Sequence, residues 1–127
     1  FHDFGVTKVA GIEARGFILG APVAVEIGAG FIPARKPGKL PWKTRRHDYA
    51  LEYGTDALEI HQDSCANSQR ILVVDDVLAT GGTARAAIDL ARKAGGQVIG
   101  AAFLIELDFL KGRDKLTGES VYSVLRY

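Results

Sequence analysis

Apolar positions along this chain follow two periods, and the switch between them marks the elements. Lys8 to Ile12 is a short apolar run that predicts a strand, and Phe31 to Arg35 predicts a second. Between them, Gly16 to Ile27 (GFILGAPVAVEI) is apolar on almost every side, which predicts a buried helix ended by Gly28 and Gly30. Ala50 to Tyr53 and Ala57 to His61 flank Gly54-Thr55-Asp56, the composition of a hairpin with turn residues at its tip. Asn67-Ser68-Gln69 reads as a turn. Arg70 then opens Ile71-Leu72-Val73-Val74, a continuous run of the kind buried on both faces of a parallel sheet.

The second half repeats the alternation. Ala84, Ala87, Ile88, Ala91 and Ala94 recur at helical spacing, with Arg85, Asp89, Arg92 and Lys93 facing outward and Gly95-Gly96 as terminator. Val98 to Leu107 and Val121 to Leu125 supply the last strands. Strand, helix and strand in this order predict an α/β fold: a mainly parallel central sheet flanked by helices. The hairpin, with the loop ahead of it, is an insertion over about residues 36–63.

Length and composition narrow the class. With 127 residues, 47% hydrophobic and 24% charged, the chain reads as one globular domain over residues 1–127, without repeats or linkers. No apolar run reaches the length of a bilayer span, so no membrane partner is expected. Cys65 is the only cysteine, which excludes an intrachain disulfide and points to a reducing cytoplasm. Nothing at the start resembles a secretion signal. The chain has no methionine, and further residues are expected ahead of Phe1.

Net charge is +1, which gives no call for nucleic acid as a partner. Its distribution is uneven. Arg35, Lys36, Lys39, Lys43, Arg45 and Arg46 fall in one twelve-residue stretch without an acid, and the remainder is acidic. Pro33, Pro37 and Pro41 make this stretch a loop rather than a helix. Such a cluster suits an anionic ligand, although a charge run is equally a solvated surface loop.

Ile71 to Ala84, ILVVDDVLATGGTA, carries the chemistry. An apolar strand ends in two adjacent carboxylates, Asp75 and Asp76, at the edge where open α/β sheets bind ligands. Ala79-Thr80-Gly81-Gly82-Thr83 then leads into a helix, whose unpaired N–H groups cradle a phosphate while the glycines let the backbone approach it. Acceptors for hydroxyls or a metal thus lie beside donors for a phosphate, and a sugar phosphate satisfies both. The Walker pattern fails because no Lys-Ser or Lys-Thr follows Gly82, and Gly28-Ala29-Gly30 fails as a dinucleotide fingerprint.

VVDDVLATGGTA resembles the phosphoribosyl pyrophosphate motif of the type I phosphoribosyltransferases. The segments GIEARGFILG from Gly11, RKPGKLP from Arg35, LEYG from Leu51 and FLKGR from Phe109 are similar to the adenine-specific members of that family. The resemblance implies the type I fold, with the inserted hairpin of about residues 36–63 as a lid, and transfer of the 5-phosphoribosyl group to adenine, giving AMP and pyrophosphate. It implies magnesium (Mg2+), a homodimer formed around the helix from Gly16, and a hood over the purine from an N-terminal segment largely missing ahead of Phe1. Alternatives in view are another base (hypoxanthine, xanthine or orotate) and a regulator that senses phosphoribosyl pyrophosphate without catalysis.

The same resemblance assigns roles. Asp75 and Asp76 meet the ribose hydroxyls and, through water, the metal, while Ala79, Thr80, Gly81, Gly82 and Thr83 hold the 5-phosphate. Glu13, Ala14 and Arg15 form the pyrophosphate loop, where a non-proline cis peptide is expected, with Lys36 and Lys39 nearby. Glu52 is the proton-handling residue and Tyr53 closes over the site beside it, unless Glu52 is only the solvent-side residue of a strand. Glu106 and Asp108 read as ordinary strand-end acids, and the three histidines have no metal-site spacing.

Overall fold

The structure is a computed structural model, which describes residues 5–41, 43–51, 54–65 and 69–127. Strands β1 (Lys8–Ile12), β2 (Gly30–Ala34), β5 (Arg70–Leu78), β6 (Gln97–Glu106) and β7 (Val121–Arg126) form one sheet in the order β2-β1-β5-β6-β7. Every pairing in it is parallel. Strands β3 (Thr44–Leu51) and β4 (Gly54–His61) form a separate antiparallel hairpin. Helices α1 (Arg15–Ile27) and α2 (Gly82–Lys93) cover opposite faces of the large sheet.

The central strand shows why its sequence is apolar throughout. Ile71 and Val73 enter the core shared with α2 and the hairpin, and Leu72 and Val74 enter the core shared with α1. Both faces are therefore dry, as the unbroken run predicts. Leu58 and Ile60 of β4 join the α2-side core, which seats the hairpin. On β3, His47 reaches over to α2: its Nδ1 lies 2.6 Å from Lys93 Nζ.

Three expectations are corrected. Helix α1 is not buried all round. Only Gly16, Gly20 and Ala24 are buried, while Ile18 and Val25 are 73% and 82% exposed. Small residues bring the helix close to the sheet, so its larger side chains stand off on the far side. The basic stretch is not loop up to Arg46, because β3 already begins at Thr44. Cross-strand pairing with the apolar β4 overrides the weak strand preference of its arginines. Gly54, Thr55 and Asp56 lie in β4 rather than at a turn, because the ladder closes on Leu51↔Gly54. The proposed turn at Asn67 and Ser68, like Trp42, lies outside the described residues.

Candidate active site

Strand β5 outruns its neighbour. Its pairing with β1 stops at Gly11↔Val74, whereas β5 continues to Leu78. Asp75 and Asp76 therefore lie within the strand, not beyond its end, on a stretch with one flank open. Into that opening the chain places the segment after β1, then α1. A cleft of about 350 Å³ results, lined among others by Glu13, Arg15, Lys36, Asp75, Asp76, Thr80, Gly81 and Thr83.

One wall of the cleft is the turn from β5 into α2. Gly81 caps the helix at φ +90, a conformation that side chains rarely adopt. A Cβ there would also collide with the Gly112 carbonyl oxygen, and one on Gly112 would collide with that of Ala79. The loop is thus clamped onto the 3-10 turn at Gly112–Leu116. No side chain caps α2 and its first turn has no acid. Its terminal N–H groups and the positive end of its dipole remain directed at whatever anion enters. Ala79, Thr80, Gly81 and Thr83 line the cleft and Gly82 opens the helix.

The facing wall begins with Glu13-Ala14, joined by a cis peptide bond as expected. Gly16 follows at close quarters: a Cβ on it would stand 3.0 Å from Asp75 Oδ1 and from the Val74 carbonyl oxygen. This contact lets Arg15 Nε donate to Asp76 Oδ2 at 2.9 Å, with the Arg15 side chain still 78% exposed. Both aspartates are half-buried, and Asp75 Oδ1 accepts the Asp76 N–H at 2.9 Å. Burial and the Asp76 carboxylate push its pKa from 3.8 up to about 7, against the pull of that N–H and of Arg15.

Three donors converge on Glu13. Its Oε1 accepts from the Lys36 backbone N–H at 2.9 Å and from Arg35 Nε at 3.3 Å, and its Oε2 accepts from Lys39 Nζ at 2.9 Å. Burial raises its pKa, but Lys39, Lys36 and Arg35 outweigh it and hold the carboxyl at about 2. The Lys36 ammonium is bonded to Asp56 of β4 and to the Tyr49 hydroxyl of β3. Burial lowers its pKa, and these two partners overcome that and raise it.

The structure therefore brings together Glu13, Arg15, Lys36, both aspartates and the 79–83 loop. Lys39 does not line the cleft but reaches it through Glu13. Lys43, Arg45 and Arg46 are exposed on or beside β3, away from the lining. Glu52 and Tyr53 lie outside the described residues, as does any geometry for them. Sequence reasoning quoted Gly112 within FLKGR but missed its packing against Gly81 and Ala79, and it missed the pairing of Lys36 with Asp56. Glu106 belongs to the scaffold: only 2% exposed, it accepts from Arg113 and Ser123.

A parallel sheet, a helix N-terminus for phosphate and an acid pair beside it define a phosphoribosyl-transferring type of domain. The Phosphoribosyl transferase domain family matches residues 3–124. An adenine phosphoribosyltransferase of Koribacter versatilis is 57% identical over all 127 residues, which cover 70% of that relative. The crystal structure of the enzyme from Rhodothermus marinus superposes with a TM-score of 0.98 at 52% identity, over 100% of this chain and 73% of that one. The Saccharomyces cerevisiae enzyme, solved with an imino-altritol bisphosphate and adenine, gives 0.91 at 38% identity, over 96% of this chain and 69% of that one. The chain belongs to the adenine phosphoribosyltransferase family.

Proposed function

We propose that the chain transfers the 5-phosphoribosyl group of phosphoribosyl pyrophosphate to adenine, releasing pyrophosphate and forming AMP. The observation that carries this reading is the cleft itself. An uncapped helix start and a carboxylate pair lie on one side, and Arg15 with Lys36 on the other. One ligand with a phosphate, a diol and a pyrophosphate engages all of them. Membership of the adenine-specific family supplies the base.

In this reading the α2 N-terminus and the 79–83 loop take the 5-phosphate, and Asp76 and Asp75 accept from the ribose hydroxyls. The bond at the ribose C1 breaks with oxocarbenium character, so catalysis is positioning plus stabilisation of the departing pyrophosphate. Arg15 supplies a guanidinium that can exchange its Asp76 partner for phosphate oxygens. Lys36 and Lys39 add charge on the same side. By the family resemblance, Glu52 is the group that handles the proton as purine N9 attacks, with Tyr53 its neighbour in the LEYG segment.

The donor set fits magnesium in one way. Among the described residues no three His, Cys, Asp or Glu side chains cluster to hold a metal. Two adjacent carboxylates suit an ion that keeps its waters and arrives on substrate phosphates, so Asp75 and Asp76 would hold it through water. When bound, magnesium neutralises pyrophosphate charge.

A homodimer formed over α1 is supported by its exposed Ile18 and Val25. A cytoplasmic setting is supported by the lone Cys65, and no helix among the described residues is long and apolar enough to cross a membrane.

The deciding assay is pyrophosphate release from phosphoribosyl pyrophosphate and magnesium, with adenine, hypoxanthine, guanine, xanthine and orotate each tested on the native gene product. Release with adenine is the expected result. Release with a different base reassigns the acceptor. Tight binding of phosphoribosyl pyrophosphate without release under any condition replaces the enzyme with a sensor.

A further inference from the structure

Glu13 is electrostatically out of place. It lines the cleft on the wall that carries Arg15 and Lys36, and its own charge opposes the anion those two cations favour. The two oxygens of its carboxylate hold different kinds of partner. Oε1 takes the Lys36 N–H and Arg35 Nε, which fix where the basic stretch begins. Oε2 takes the ammonium of Lys39, whose side chain is 51% exposed while that of Glu13 is 12% exposed. The first set is a backbone N–H and a guanidinium that also lies 5.7 Å from the Phe17 ring centroid, whereas the second sits at the end of a long flexible stem.

We propose that Glu13 is a positioning residue with two separable duties: Oε1 anchors the basic loop, and Oε2 holds the Lys39 ammonium until a pyrophosphate group takes it over. The inference rests on the reading above that this cleft receives pyrophosphate. Glu13 competes with the pyrophosphate for the Lys39 ammonium, so the ligand must displace Oε2 to engage it. On ligand entry only the weakly fixed partner changes hands. The Lys36 N–H and Arg35 stay, and the loop keeps its place. No bond other than hydrogen bonds is made or broken, and no proton is transferred.

Two substitutions separate the duties. In Glu13→Gln the amide carbonyl keeps the two donors at Oε1, while the NH2 group repels Lys39 and one negative charge is lost. Magnesium pyrophosphate, measured by calorimetry, should then bind about five- to tenfold more tightly. The gain should fall to about twofold or less when Lys39 is also changed to Gln, because the two effects are coupled. Glu13→Ala, which removes both anchors, should bind more weakly than the unsubstituted chain.

In the unsubstituted chain the Glu13 carboxyl 13C resonance should move on addition of pyrophosphate, a reading that needs no variant to fold. A folded Glu13→Gln with unchanged or weaker affinity, or an unmoved resonance, overturns the proposal. Failure of the unsubstituted chain to bind pyrophosphate is seen before any variant is made; it removes the reading of the cleft and this inference with it.

Discussion

Arg15 Nε and Asp76 Oδ2 lie 2.9 Å apart, joining the first residue of α1 to the acid pair of β5. The two belong to opposite walls of the cleft, and their contact spans its mouth. Because Arg15 is 78% exposed, the pair stabilises the fold by less than about 1 kcal/mol. Its significance is that Asp76 orients the Arg15 guanidinium along the cleft wall.

Arg15→Ala should therefore leave unfolding free energy within about 1 kcal/mol of the parent. The same change should lower kcat/KM for phosphoribosyl pyrophosphate by about 100-fold, in line with the loss of one preorganised donor. Steady-state kinetics beside a urea titration checks both halves. Unaltered kinetics removes Arg15 from the chemistry.

Asp75 links function to stability with a definite sign. Its pKa is about 7 in the fold against an ordinary 3.8, so the folded chain keeps a proton that the unfolded chain releases between those values. The stability this contributes is complete below pH 4 and is lost as pH rises through 7. In magnesium-free buffer, Asp75→Asn should be more stable than the parent at pH 8 by something on the order of 2 kcal/mol, and the gap should close by pH 4. The same variant should bind phosphoribosyl pyrophosphate more weakly. Thermal melts across that range, with calorimetry at pH 8, decide the matter.

Gly81→Ala tests the clamp on the 79–83 loop. A methyl group there meets the Gly112 carbonyl oxygen and a φ of +90, so the loop must shift. A loss of about 2 kcal/mol or more is expected. Affinity for ribose 5-phosphate should fall with it, while a control at Gly118, open on all sides, should leave affinity unchanged.

The elements are largely legible in the chain because each depends on neighbours in sequence. Ile71 to Val74 is apolar at every position and became the doubly buried strand; Ala84 to Ala91 repeats at helical spacing and became the inner face of α2. The acid pair and the glycine turn that leads into α2 were readable for the same reason, since fourteen contiguous residues hold both. The hairpin turn and the start of β3 were not. A ladder slides freely in sequence terms until one face is buried, and here Leu58 and Ile60 set the register.

Arg113→Ala probes a pairing of that long-range kind. Glu106 is 2% exposed and accepts Arg113 Nε at 2.9 and 2.8 Å, with Ser123 Oγ at 2.7 Å. Arg113 above all holds its pKa below the ordinary 4.5, so this pair contributes stability above that pH and loses it as pH falls. Removing the arginine leaves the buried carboxylate with Ser123 and the more distant Arg126 alone, and should cost about 2–3 kcal/mol at neutral pH. The difference from the parent should shrink toward pH 4 in urea titrations, and the variant that remains folded should keep its affinity for phosphoribosyl pyrophosphate.

What the sequence determined by itself was local: which segments are strand or helix, where two carboxylates precede a glycine turn, and where six cations gather. Those follow from periodicity and from backbone chemistry within a few residues. Only the tertiary structure decided that Arg15 meets Asp76, that Gly112 lies under Gly81, and that Glu13 gathers Arg35, Lys36 and Lys39. It also left Ile18 and Val25 uncovered on a helix whose composition reads as buried. Such contacts join residues distant in the chain, and they are set by strand order, register and close backbone approach, which no local pattern encodes.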